Sequence, residues 1–237
     1  MTYLQSSYIE TNLNFLNKNT LLFDLDGTLV DSVPDLAFAV NQSLVELGLA
    51  PFSQDVIRGW VGNGADILIQ RALSGNAKIS TDLDNTLKER ALALFYQVYE
   101  SHSCIETRLY PNVLETLTAL KERGYSLAII TNKPERFIAP IINGLALNGL
   151  FELIIGGDTL AKRKPDPLPL NYACQQLSTN VEQCVMIGDS KNDILAAKAA
   201  NMESIALTYG YNYGENIANY QPELVIDDFA DLLSTLI

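Results

Sequence analysis

The sequence predicts an α/β protein: a parallel sheet covered by helices on both faces and interrupted after its first strand by an all-helical insertion. Three observations lead there. Short apolar runs alternate with helix-period segments from Tyr110 onward. The block from Pro34 to His102 has helical periodicity and no convincing strand. Acidic and glycine-bearing stretches follow directly on apolar runs, where the strands of such a sheet end.

Thr20 to Leu25 reads as a short buried strand running into acid and glycine. In the block that follows, Leu36, Ala37, Val40, Leu44 and Leu47 recur at helical spacing and stop at Gly48. Ile67, Leu68, Ala72 and Leu73 repeat the signal before Gly75, and Leu87, Ala91, Leu94, Phe95, Val98 and Tyr99 carry it between Asp82 and His102. Beyond Tyr110-Pro111, a helix is expected over about 112–123, stopped by Gly124, and then a strand over 126–130. The alternation continues with helices near 136–144, 167–177 and 193–200 and strands near 153–155, 184–187, 204–207 and 224–226. The expected division is a sheet core of residues 20–32 and 109–237, a helical insertion over 33–108, and an N-terminal arm over 1–19. An insertion at that point lies above the carboxyl edge of the sheet, where such folds bind ligands, and so reads as a lid.

Composition narrows the function. With 28 Asp and Glu against 16 Lys and Arg, the chain carries a formal charge of −12, the wrong sign for a nucleic-acid partner. An anionic substrate must then be attracted by local groups. Cys104, Cys174 and Cys184 form neither a disulfide framework nor a metal pattern, which suits a reducing, cytoplasmic setting. The segment up to Thr20 is polar, without the apolar stretch of a signal peptide, and no run is long enough for a membrane span. No amphipathic seam marks a subunit interface.

The chemistry collects where strands end. The first delivers Asp24-Leu-Asp26-Gly27-Thr28, two carboxylates aimed at one volume beside a turn with free backbone N–H groups. The next ends in Thr131-Asn132, and a later one in Gly188-Asp189-Ser-Lys-Asn-Asp193, while Lys164 stands just before a helix. In a parallel sheet these ends share one edge. Taken singly, Thr131 and Asp193 read as helix caps and Lys164 as a solvated surface lysine. Together the strand ends bring four carboxylates, a lysine and a hydroxyl to one place, and clustered carboxylates are unfavourable unless a cation neutralises them. Oxygen ligands with room for water suit Mg²⁺, whereas Zn²⁺ or a serine-hydrolase triad needs histidine. The one histidine, His102, falls in the helical block and reads as a helix-end residue.

These residues resemble the haloacid-dehalogenase superfamily: Asp24 to Thr28 its first motif, Thr131 its second, Lys164 its third, and Asp189 with Asp193 its fourth. The resemblance covers essentially everything from Thr20 onward and implies a Rossmann-like core with an inserted helical cap. It also implies roles. Asp24 attacks phosphorus and becomes an aspartyl phosphate; Asp26 protonates the leaving alkoxide and then activates water. Mg²⁺ is held by the Asp24 carboxylate, the Asp26 main-chain carbonyl and Asp189, with Asp193 in support. Thr131 and Lys164 hold the phosphoryl oxygens, and Asn132 is a further substrate-binding residue.

Asp26 argues against a dehalogenase or a phosphonatase, while a sugar-phosphate mutase shares all the core acids and stays open, as does hydrolysis of another small sugar or organic phosphate. Trp60 to Gly64, Thr131 to Pro134, Ile155 to Asp158 and Leu207 to Gly214 resemble, more narrowly, the bacterial branch of the family that hydrolyses 2-phosphoglycolate. That small metabolite carries a carboxylate beside its phosphate, and its expected partners are Arg58 and the Gly62-Asn63-Gly64 turn.

Overall fold

The structure, a computed structural model, describes residues 15–236. Most of the expected N-terminal arm, residues 1–14, lies outside the described residues; of the remainder, Phe15 is buried in the core. The chain then enters β1 (Thr20–Phe23) and turns through Asp24 to Leu29 into the two-residue β2 (Val30–Asp31). Four helices follow: α1 (Val33–Glu46), α2 (Gln54–Arg58), α3 (Ala65–Ser74) and α4 (Asn85–His102). Pro34 opens α1, Ser53 and Asp84 cap α2 and α4 by accepting from backbone N–H groups, and α3 ends on left-handed Gly75. They pack around an apolar cluster of their own that includes Trp60, Leu68, Phe95 and Tyr99.

The chain returns through β3 (Arg108–Leu109), which pairs antiparallel with β2, and then alternates. In order come α5 (Val113–Glu122), β4 (Ser126–Ile130), α6 (Ile138–Gly144), β5 (Leu153–Ile155), α7 (Leu168–Gln176) and β6 (Cys184–Gly188). The last part holds α8 (Lys191–Ala199), β7 (Glu203–Leu207), β8 (Leu224–Ile226) and α9 (Leu232–Thr235). Six strands form one parallel sheet in the order β5-β4-β1-β6-β7-β8. Leu21 and Phe23 join the apolar cluster on one face of the sheet and Leu22 that on the other, as alternate residues of a strand must. Both faces are covered, so the strands are continuous apolar runs.

The chain builds the sheet outward from β1 to β5, then crosses back to β6 and builds the other way. That reversal puts a crevice at the carboxyl end of β1, between the ends of β4 and β6.

The elements differ from expectation at their edges. The first strand stops at Phe23, so Asp24 and Leu25 belong to the turn, although the Asp24 N–H still reaches the Ile187 carbonyl at 3.0 Å. The helix expected from 193 starts at Lys191, which brings Asp193 into its first turn. The segment 136–144 opens as a 3-10 turn over Glu135–Phe137. The short α2 and the β2–β3 ribbon were not expected, because elements of five and two residues carry no measurable period. Cys174 and Cys184 are free thiols with sulfurs 3.6 Å apart.

One buried carboxylate ties the two stems of the helical block together. Asp35, in the first turn of α1, accepts from the N–H groups of Ile105, Glu106 and Thr107 at 2.8–3.1 Å and from Thr107 Oγ1 at 2.6 Å. Replacing it with alanine strands three backbone donors, so Asp35→Ala is expected to cost about 2–4 kcal/mol of unfolding free energy in denaturant titrations. A loss below about 1 kcal/mol would show that water replaces the carboxylate without penalty.

Candidate active site

Each strand end in the crevice contributes one side chain, and hydrogen bonds fix its direction. Asp24, just past β1, is buried; its Oδ1 accepts from the Leu25 N–H at 2.7 Å and lies 3.1 Å from Lys164 Nζ. Among the described residues no hydrogen bond reaches Asp24 Oδ2. The turn continues to Gly27, at φ +91°, where a Cβ would overlap the Asp189 carboxylate; only glycine lets the backbone pass so close. Asp26 accepts from Ser32 Oγ at 2.6 Å and from Lys133 Nζ at 3.0 Å.

The other motif residues converge on the same place. Thr131, buried after β4, accepts at Oγ1 from the Lys133 N–H at 3.2 Å. Lys164 is fully enclosed, with Nζ between Asp24 and Asp193, the latter at 2.6 Å. Asp189, after β6, accepts from Thr28 Oγ1 at 2.6 Å and from the Tyr211 N–H at 2.5 Å. Asp193 gives its second oxygen to the N–H and hydroxyl of Ser190, at 3.0 and 2.8 Å, closing a capping box at the start of α8. It thus caps α8 and pairs with Lys164 at once, and Lys164 is the reverse of a solvated lysine.

Burial dominates the electrostatics. It pushes Asp24 up to about 7, with Lys164 pulling the other way and Asp193 adding to the rise. Asp189 is driven well above the usual carboxylate range by burial and by the neighbouring Asp193 and Asp24. Burial alone would lower Lys164, but its two carboxylate partners outweigh it and raise it. Lys164 thus pairs with two of the three buried acids, Asp189 is bonded only by Thr28 and Tyr211, and the cluster is short of positive charge. Carboxylate oxygens of Asp24, Asp189 and Asp193 lie within 4.8 Å of one another. This all-oxygen set fits a hard divalent cation. Both oxygens of Asp193 and both of Asp189 already accept hydrogen bonds, so Asp24 Oδ2 is the carboxylate oxygen of this set without a partner among the described residues.

Above this floor lies a cavity of about 30 Å³, walled below by Asp24, Asp26, Thr131, Asn132 and Lys133. Its roof comes from the helical block, including Gly62, Gly64, Leu68 and Phe95. The sequence pattern of the family described as haloacid dehalogenase-like hydrolase matches residues 21–207, the span that contains the four acids, Thr131 and Lys164. The chain belongs to that family.

Its relatives in the haloacid dehalogenase-like hydrolases are close. It is 61% identical to the phosphoglycolate phosphatase of Colwellia psychrerythraea, over 92% of this chain and 97% of that one. It is 49% identical to the phosphoglycolate phosphatase of Pseudomonas putida, over 90% of this chain and 78% of that one. The crystal structure of a predicted phosphoglycolate phosphatase from Haemophilus somnus superimposes with a TM-score of 0.86 at 40% identity, covering 92% and 97% of the two chains. The fold is the Rossmann-like one of these hydrolases.

The hydrolase treats the remaining expected site residues unevenly. Asn132 lines the cavity and donates its amide to the carbonyls of Gly62 and Lys164 at 3.0 and 2.9 Å; its buried Oδ1 finds no partner among the described residues. Gly62 and Gly64 both line the cavity, and the Gly62 carbonyl also receives Asn192 at 3.0 Å, so this turn docks the helical block onto the core. Asn63 points elsewhere, accepting from Tyr213 OH at 2.8 Å and lining the adjacent cleft. Arg58 is not brought to the cavity: it pairs with Asp31 at 3.1 Å and lies over the Tyr211 ring. Lys133 and Tyr99, both buried on the cavity wall, were not anticipated. Tyr99 sits on a helical apolar stripe that reads as plain core, and Lys133 lies within the Thr131 to Pro134 segment, whose resemblance gives it no role of its own.

Proposed function

We propose that the protein is a Mg²⁺-dependent phosphomonoester hydrolase acting on 2-phosphoglycolate, releasing glycolate and phosphate by way of an aspartyl phosphate. The observation that carries this is Asp24: a carboxylate with one oxygen tied down by Leu25 and Lys164 and the other unengaged among the described residues, at the sheet crevice, with Asp26 lining the same cavity. The relatives named phosphoglycolate phosphatase supply the substrate.

In the first half-reaction an Asp24 oxygen forms a bond to phosphorus while the ester bond breaks, and Asp26 delivers its proton to the leaving glycolate oxygen. In the second, Asp26 takes a proton from water as that water attacks the aspartyl phosphate, regenerating Asp24 and releasing phosphate. Lys164 and the Thr131 hydroxyl, with Asn132 bracing the loop, face the phosphoryl oxygens and offset charge as it spreads in transfer. Asp24, the main-chain carbonyl of Asp26 and Asp189 would hold Mg²⁺, and Asp193 would support the site by holding Lys164. When bound, the ion neutralises the clustered carboxylates and the phosphoryl oxygens. Residues 33–108 would serve as a cap that closes on the core through the Gly62 contacts, excludes bulk water and reads the organic end of the substrate. The close walls of the cavity favour a small substrate over a sugar phosphate.

The test is a panel of small phosphomonoesters assayed with Mg²⁺. 2-Phosphoglycolate is expected to give the highest kcat/KM, and a sugar phosphate exceeding it by about tenfold would remove the substrate assignment.

A further inference from the structure

The place where the leaving oxygen meets Asp26 dictates where the rest of the substrate lies. In 2-phosphoglycolate the carboxylate oxygens are three bonds from the ester oxygen, roughly 3–4 Å by ordinary bond lengths. Any group that itself touches the Asp26 carboxylate is therefore within reach of the substrate's carboxylate. Such an anion, enclosed in a chain of net charge −12, needs a local cation and hydrogen-bond donors.

Arg58 cannot supply them from its position on Asp31. Lys164 is held between Asp24 and Asp193. Lys133 is different. Its Nζ is 3.0 Å from Asp26 Oδ1, it is only 4% exposed, and it is the cation on the wall of this cavity among the described residues. Its companion is Tyr99, on α4, whose hydroxyl accepts from Lys133 Nζ at 2.7 Å. Having accepted there, the Tyr99 hydroxyl retains a proton that finds no acceptor among the described residues, and the side chain is 1% exposed against the same cavity.

We infer that Lys133 Nζ and Tyr99 OH together form the seat for the substrate's carboxylate, one donor from the core and one from the helical block. The inference rests on the phosphoglycolate reading and deepens it. It also ties recognition to closure, because Tyr99 reaches Lys133 only where α4 lies over the crevice. A phosphate ester without a carboxylate leaves the buried Tyr99 hydroxyl proton without an acceptor and Lys133 with Asp26 as its one anionic partner, and that is how a site rejects a near-isostere.

The experiment compares two pairs of molecules on the full-length enzyme. 2-Phosphoglycolate and ethyl phosphate differ only in the carboxylate, and so do their non-hydrolysable counterparts 3-phosphonopropionate and propylphosphonate. Wild type is expected to favour the carboxylate-bearing member of each pair, by kcat/KM and by calorimetric affinity. Lys133→Gln is expected to shrink both preferences by at least about tenfold, and Tyr99→Phe by about threefold. The phosphonate pair matters because Lys133 also touches Asp26, so turnover by Lys133→Gln can fall for either ester, whereas phosphonate binding involves no proton transfer. Equal losses for the two members of each pair would reduce Lys133 to a partner of Asp26 and overturn the inference while leaving the substrate assignment standing. A wild type that does not discriminate within either pair would overturn both.

Discussion

Asp24→Ala is expected to lower kcat by at least about a thousandfold with the fold retained, because the covalent route disappears with the carboxylate. Position supports that magnitude. Among the described residues the crevice offers no other acid with an oxygen free of protein partners: Asp26 is held by Ser32 and Lys133, Asp189 by Thr28 and Tyr211, and Asp193 by Lys164 and Ser190. Nor does the fold lean on Asp24, whose burial pushes it up to about 7 and so opposes its ionised form. Lys164 keeps Asp193 as a partner in the variant. Beryllofluoride, a mimic of the aspartyl phosphate, should bind wild type and leave Asp24→Ala unbound. A variant keeping more than about a tenth of wild-type kcat would take Asp24 out of the nucleophile's role.

Removal of divalent cations is expected to abolish turnover, with Mg²⁺ restoring it and Ca²⁺ failing to. The larger Ca²⁺ accepts more ligands and can draw a carboxylate into bidentate contact, which would occupy the Asp24 oxygen needed for attack. The same cluster predicts a stability signature. Asp24 takes up its proton at about 7 in the folded, metal-free chain and near 3.8 when unfolded, so between those values the folded state binds more protons. Raising the pH through that window therefore lowers the stability of the metal-free protein, and Asp189 acts in the same direction. Mg²⁺ should accordingly raise the melting temperature more at pH 8 than at pH 5. Full turnover in excess chelator, or equal stabilisation at both pH values, would contradict the assignment of these carboxylates to a cation site.

The acids of the site were legible because their chemistry coincides with local sequence. Asp24, Asp26, Asp189 and Asp193 each follow an apolar run within a few residues, and a strand that short can only be buried and can only end there. Thr131 and Lys164 were legible as members of that ensemble, although each read alone as a cap or a surface group. Their burial, and the sharing of one ammonium among the acids, was not visible in spacing.

Arg58 shows the limit from the other side. A cation near a glycine turn in sequence is a fair candidate for an anion site, yet helix α2 directs it to Asp31 and the Tyr211 ring. Lys133 and Tyr99 stand 34 positions apart in the chain and meet only because α4 folds back over the end of β4. Periodicity assigned Tyr99 to a core stripe, and it does pack in that core, stacked on Phe95 and edge-on to Phe137, while its hydroxyl faces the cavity.

The sequence by itself determined the class of fold, the helical interruption after the first strand and the acids at the carboxyl edge, because apolar period, turn residues and strand-end position are local properties of the chain. Tertiary structure alone decided which cations face those acids. The order β5-β4-β1-β6-β7-β8 brings Thr131, Lys164 and Asp189 to one crevice from segments far apart in sequence. Docking of the helical block, through Gly62 on Asn132 and Asn192 and Tyr99 on Lys133, then selects Lys133 and excludes Arg58. Side-chain charge acts over a few ångströms, and which groups come that close is set by how distant segments pack.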